Sequence, residues 1–116
     1  MNPSFNSIEI MGNVGKKPII SYLNNSTPVV RLRVCVNDRY TDKTTGQIKE
    51  NTQWFSVLLY NKLAELAGEY LLQGDSVFIR GSMRSRRYSY NDEEREVWEI
   101  YADTLRILSV KKDRQG

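Results

Sequence analysis

From Val29 to Val36 the side chains alternate in character. Val30, Leu32, Val34 and Val36 fall on one face of an extended chain, and Val29, Arg31, Arg33 and Cys35 on the other. A period of two commits such a segment to a strand with one buried face. Ile8 and Ile10 alternate with Ser7, Glu9 and Met11 until Gly12 and Gly15 interrupt the run. Ile19 to Leu23 is a shorter stretch, ended by Asn24-Asn25-Ser26-Thr27-Pro28. Over 52–60, Trp54, Ser56, Leu58 and Tyr60 point one way and Phe55, Val57 and Leu59 the other. Val77, Ile79, Gly81 and Met83 then alternate with Phe78, Arg80, Ser82 and Arg84, and a last strand is expected from about Glu96 to Leu108. The polar stretches 39–51 and 86–95 read as two long hairpin loops.

One segment has the other period. Leu63, Leu66, Ala67, Tyr70 and Leu71 are spaced as one face of a helix, which puts Tyr70 in the core. Asn61 is placed to cap its start through the side-chain oxygen, and Gly74 to supply the left-handed residue after its end. Strands, one helix after the third main strand, then two more strands predict an all-β protein with one helix: a five-stranded Greek-key barrel of the oligonucleotide-binding (OB) type. A β-sandwich needs about seven strands and has no helix in this place.

With 116 residues there is room for one such domain, expected over 1–109, followed by a short polar tail over 110–116 that is expected to be disordered. The chain has no histidine and one cysteine. That excludes Ser-His-Asp and Cys-His catalysis, imidazole-based zinc sites and any disulfide framework within one chain. No cofactor or metal is called for, Cys35 reads as a packed thiol, and a reducing, intracellular setting fits. No apolar run is long enough for a membrane-spanning helix, and the first residues lack the charged and apolar regions of a signal peptide.

Lys and Arg number 17 and Asp and Glu 14, a net charge of only +3. The distribution says more. Residues 76–91 hold four arginines and no acid. If the strand runs on into the hairpin, Arg80, Arg84, Arg86, Tyr88 and Tyr90 share a face. Cations neutralise phosphates, and exposed flat rings accept unpaired bases that a duplex would hide, so the pattern points to single-stranded nucleic acid. Arg31 and Arg33 on a non-core face, Arg39, Tyr40, Lys43 and Lys49 on the first hairpin, the Trp54–Tyr60 face and Lys62 could extend the surface. Trp98 is open between core and platform, and Phe78 between core and interface. Residues 92–99 oppose the pattern: five acids against one arginine give −4. They read as a solvated turn, a remote tip or return strand, or a segment folded back on the arginines. A Mg²⁺ nuclease built on Asp92, Glu93, Glu94 and Glu96 is disfavoured, because side chains so close in sequence diverge along a strand.

Taken together, the residues resemble the bacterial single-stranded DNA-binding protein family over roughly 5–109. The first strand Asn6-Ser-Ile-Glu-Ile-Met-Gly-Asn-Val-Gly15 is followed by Lys17-Pro18 and Tyr22. Asp42-Lys43, Thr45-Gly46 and Lys49-Glu50 resemble the first hairpin. Trp54 and Tyr60-Asn-Lys62-Leu-Ala-Glu-Leu-Ala-Gly-Glu-Tyr-Leu72 resemble the third strand and helix, and Gly81-Ser-Met-Arg84-Ser-Arg86-Arg87-Tyr88 the second hairpin. The resemblance implies a non-enzymatic, cytoplasmic and nucleoid-associated binder of single-stranded DNA in replication, recombination and repair. It also implies a homotetramer, or a dimer as the smaller assembly. It carries base stacking onto Trp54, Tyr60, Tyr88 and Tyr40, where the family often has Trp for Tyr40 and Tyr88 and Phe for Tyr60. Phosphate contacts fall on Lys43, Lys49, Lys62, Arg84, Arg86 and Arg87, beside Arg31, Arg33 and Arg80 from the strand pattern. Ile8 and Ile10 serve a subunit interface, as does Phe55, which stands where histidine is frequent. The family's acidic C-terminal tail has no counterpart before Gly116, so tail-mediated protein recruitment is not expected. A primosomal-type assembly factor with weaker single-strand binding is the alternative.

Overall fold

The computed structural model describes residues 3–109; the tail expected over 110–116 lies outside them. The elements are β1 (Ile8–Val14), β2 (Ile20–Tyr22), β3 (Pro28–Thr41), β4 (Ile48–Tyr60), α1 (Lys62–Tyr70), β5 (Ser76–Tyr90) and β6 (Glu93–Ser109). The sheet runs β1-β5-β6-β4-β3-β2, and an additional β1–β3 pairing joins β1 back to β3. Five strands therefore close a barrel, and short β2 adds an edge to β3. This is the expected OB-type fold.

Closure turns on β1. It pairs antiparallel with β5 from Ile8 to Asn13, then with β3 at Asn13 and Val14. At the changeover Gly12 lies so close to β3 that a Cβ would collide with the Cys35 carbonyl oxygen. Gly12→Ala is expected to cost about 1–3 kcal/mol through overpacking. Urea unfolding checks this: the midpoint should fall at unchanged m-value.

The alternation of β3 holds. Val30, Leu32 and Val34 are buried with Val57, Leu59, Val77, Ile79, Ile100 and Leu105. Ile8, Ile10 and Phe55 pack against this cluster while keeping part of their surface open. The helix sits on the barrel through Ala64 and Ala67, small residues that let it approach closely, and Leu71 just beyond its end is buried with them. Tyr70, expected in the core, is exposed instead, because the buried stripe runs through the alanines and is rotated away from it.

Both helix ends differ from expectation. Asn61 has φ 58° and makes no side-chain capping bond. Its N–H donates to the Pro28 carbonyl, and its own carbonyl accepts from Glu65 N–H. It serves as a residue that tolerates positive φ at a sharp strand-to-helix turn. Leu71, in extended conformation, ends the helix. Gly74 does take positive φ, at 91°, but three residues later, in the turn leading to β5.

The two long hairpin loops prove to be paired ribbons. β3 and β4 stay in register out to Thr41↔Ile48, and β5 and β6 out to Tyr90↔Glu93. The second ribbon closes with Asn91 and Asp92 alone, both at positive φ (52° and 62°), the tight turn that suits a twisted hairpin.

Candidate nucleic-acid interface

Residues opposite one another across a ladder share a face, and the register assembles one outer surface across β3, β4, β6 and β5. Val29 faces Tyr60, Arg31 faces Leu58, Arg33 faces Ser56 and Cys35 faces Trp54. Leu58 continues to Tyr101 across the parallel β4–β6 pair. Tyr101 faces Ser82, Glu99 faces Arg84, Val97 faces Arg86 and Arg95 faces Tyr88. The expected faces of β3, β4 and β5 thus belong to a single surface.

Two ring clusters lie on it. Trp54 is 50% exposed, with the Arg33 guanidinium 5.5 Å from its ring centroid. Arg33 also donates to Ser56 Oγ at 2.9 Å, which fixes it beside the ring. Beneath Trp54 lies Gly15, where a Cβ would stand 2.6 Å from the ring. An open pocket of about 260 Å³ between them is lined by Gly15, Lys16, Arg33 and Trp54. The second cluster pairs Tyr60 with Tyr101, centroids 5.9 Å apart, with the Arg84 guanidinium 4.6 Å from the Tyr101 ring. Burial, then the neighbouring Tyr101, pushes the Tyr60 phenol above its ordinary value of 10.0, so it stays uncharged at neutral pH.

Between the clusters sits a carboxylate. Glu99 is 2% exposed and takes Arg31 at 3.1 Å and Arg86 at 2.9 Å. Its acidic segment is therefore part of a return strand folded back on the arginines. Glu96 stands 3.8 Å from Arg87, and Glu93 3.4 Å from Arg95. Among the described residues no three acidic or thiol side chains gather into a metal-holding group.

The remaining candidates divide. Tyr88 lies on the shared surface with Arg86 5.7 Å from its ring, and Tyr90 follows with Arg95 at 5.5 Å. Arg80 is on the same face of β5 but faces Thr104 and bonds Asp103 at 3.3 Å, away from both ring clusters in the register. Arg87 falls on the opposite face of its ribbon with Glu96 and Trp98. Trp98 is thus neither core nor part of the shared surface: it is 55% exposed and donates through Nε1 to Glu96. Phe78 is half-buried. Tyr40 and Lys49 face each other on the first ribbon. Lys49, 2.9 Å from Asp42, and the Thr44 amide hold the Asp42 carboxyl below its ordinary value of 3.8. Lys43 is exposed in the turn beyond, and Lys62 is exposed at the start of α1.

Two residues escaped the sequence reading, Tyr101 and Lys16, and Glu99 entered it only as one of the acids of 92–99. A signal existed for Tyr101 and for the outward face of Glu99. Ile100 is apolar and buried, so its neighbours 99 and 101 must point outward. Lys16 follows the strand end and carries no periodicity.

Comparison with known proteins agrees with this architecture. The structure of the Plasmodium falciparum SSB in complex with ssDNA superimposes with a TM-score of 0.81 at 28% identity, over 94% of this chain and 100% of that one. A single-stranded DNA-binding protein from Thermus aquaticus (a deletion mutant) shares the fold, with a TM-score of 0.78 at 23% identity over 90% of this chain and 51% of that one. Single-stranded DNA-binding protein 1 of Xylella fastidiosa (strain 9a5c) is 35% identical over 111 residues, 95% of this chain and 82% of the relative. Residues 5–108 match the profile of the Single-strand binding protein family, and with that match, this fold and this outer face the chain belongs to that family.

Proposed function

We propose that the protein binds single-stranded DNA without catalysis and with little sequence preference. The observation that carries this reading is the juxtaposition of Trp54 with Arg33, and of Tyr60 and Tyr101 with Arg84, on one exposed barrel face. Rings and cations at that spacing suit bases and the phosphates that follow them. Trp54, Tyr60 and Tyr88 stack bases, and Tyr40 extends the platform along the first ribbon. Arg33, Arg84, Lys43, Lys49 and Lys62 meet phosphates. Arg31 and Arg86 supply charge while held by Glu99, and Arg80 and Arg87 contribute from the margins. Such a protein would keep exposed strands unpaired during replication, recombination and repair in a bacterial cytoplasm. Assembly into a homotetramer fits the partly open Ile8, Ile10 and Phe55.

Titration with oligo-dT tests the proposal. Of the two tryptophans only Trp54 lies on the proposed face, so emission should be quenched in part and Trp98 should remain bright. Duplex of the same length should bind far more weakly. Absence of quenching, or equal affinity for duplex, would overturn the reading.

A further inference from the structure

The charge that looked strongest in sequence is largely compensated. Arg86, Arg87 and Arg95 of the second ribbon each have a carboxylate partner, and so do Arg31, Arg39, Lys49 and Arg80. Lys16, Lys17 and Arg33 have none within ion-pair distance among the described residues, and all three are exposed. They also converge. Lys16 and Arg33 line the pocket beside Trp54. Lys16 and Arg33 also line a second open pocket, of about 240 Å³, together with Lys17, Ser21 and Arg31. Two shared residues make the pockets adjoining parts of one groove, running from the Trp54 ring over the β1–β2 connection to β2.

We infer that this groove is a phosphate-binding site for single-stranded DNA, in which Lys16, Lys17 and Arg33 hold consecutive phosphates next to a base stacked on Trp54. The inference rests on the proposed single-strand binding and adds the β1–β2 connection to the face that Arg84, also outside any ion pair among the described residues, supplies from the second ribbon. The chemistry is direct. A lysine without an internal carboxylate releases no ion pair on binding phosphate, so its charge counts fully. The first pocket offers a ring on one side and cations on the other. Gly15 is needed for that shape, since any side chain there would displace the ring.

The experiment measures oligo-dT affinity as a function of salt for the full chain. Neutralising one phosphate on a single strand contributes about 0.7 to the slope of log K against log salt. Lys16→Ala/Lys17→Ala should therefore lower the slope by about 1.4 and weaken binding roughly 25-fold at 0.1 M salt. Lys16→Arg/Lys17→Arg should restore both. The control variant Arg106→Ala, which removes an exposed cation opposite Phe78 and away from both ring clusters in the register, should leave the slope close to that of the parent. If the parent binds oligo-dT while the lysine variant keeps its slope, or if the control loses as much per charge removed, this assignment fails and the single-strand reading survives. If the parent does not bind oligo-dT, both fail.

Discussion

Arg31→Ala/Arg86→Ala is expected to lower folding stability by about 3–5 kcal/mol, the cost of leaving a buried charge without its partner. The expectation follows from unequal burial. Glu99 is 2% exposed, while its partners Arg31 and Arg86 are 54% and 43% exposed. The arginines come from β3 and β5 and meet on a carboxylate of β6, so the pair of contacts ties three strands of the barrel. Removing both cations strands a carboxylate that water barely reaches. Removing the carboxylate leaves two guanidinium groups that water already reaches. Glu99→Gln should therefore cost less, about 1.5–3 kcal/mol for the charged hydrogen bonds it gives up. Each single arginine variant should fall well short of the double, because the other arginine stays in place. Urea unfolding of the four variants checks the ordering. If Glu99→Gln is as damaging as the double arginine variant, the asymmetry is wrong. A consequence for binding studies follows: losses seen on removing Arg31 or Arg86 contain a folding component, whereas Arg33 and Arg84 have no carboxylate partner within ion-pair distance among the described residues and report more directly on DNA.

The same carboxylate marks where sequence reasoning stopped short. Alternation exposed the barrel strands because each has one buried face: Val30, Leu32 and Val34 would be hard to place otherwise. The ribbons beyond the barrel have no buried face. Residues 49–54 are exposed on both sides, so nothing apolar recurs with period two and paired strands read as loops. Once those loops are seen as ribbons, the acids at 93–99 necessarily lie against the arginines at 84–90, and the apparent cationic stretch becomes a ladder of ion pairs. Tyr70 failed for a different reason. The predicted face of Leu63, Leu66, Ala67, Tyr70 and Leu71 leaves out Ala64, whose small side chain weighs little in a hydrophobic pattern, and the close contact through Ala64 and Ala67 turns the buried stripe away from Tyr70. The face of Trp54 and Tyr60 is legible for the opposite reason: parity against Phe55, Val57 and Leu59 sets it, and parity is what the register preserves.

Trp54→Ala/Tyr88→Ala should lose most of the single-strand affinity while keeping the fold. Stacking one base on an aromatic ring is worth about 1–3 kcal/mol, and each 1.4 kcal/mol is a factor of about ten in affinity. Each ring should then account for roughly 5-fold to 150-fold, and the double variant for about the product if the two sites act independently. Both rings are exposed on the outer face and neither belongs to the buried core, so truncation leaves no core cavity. Tyr70→Phe is the matched control: it removes a hydroxyl from an exposed ring on the helix and should leave affinity unchanged. Anisotropy of a labelled oligo-dT gives the affinities, and tryptophan emission gives a second readout. In Trp54→Ala the remaining Trp98 lies on the far face of its ribbon beside Glu96, so its emission should not respond to oligo-dT that still binds. Unchanged affinity in the double variant would remove stacking from the mechanism and leave phosphate contacts to carry binding. A response of Trp98 would move the strand onto the face that also carries Arg87, and with it the path of the DNA across the second ribbon.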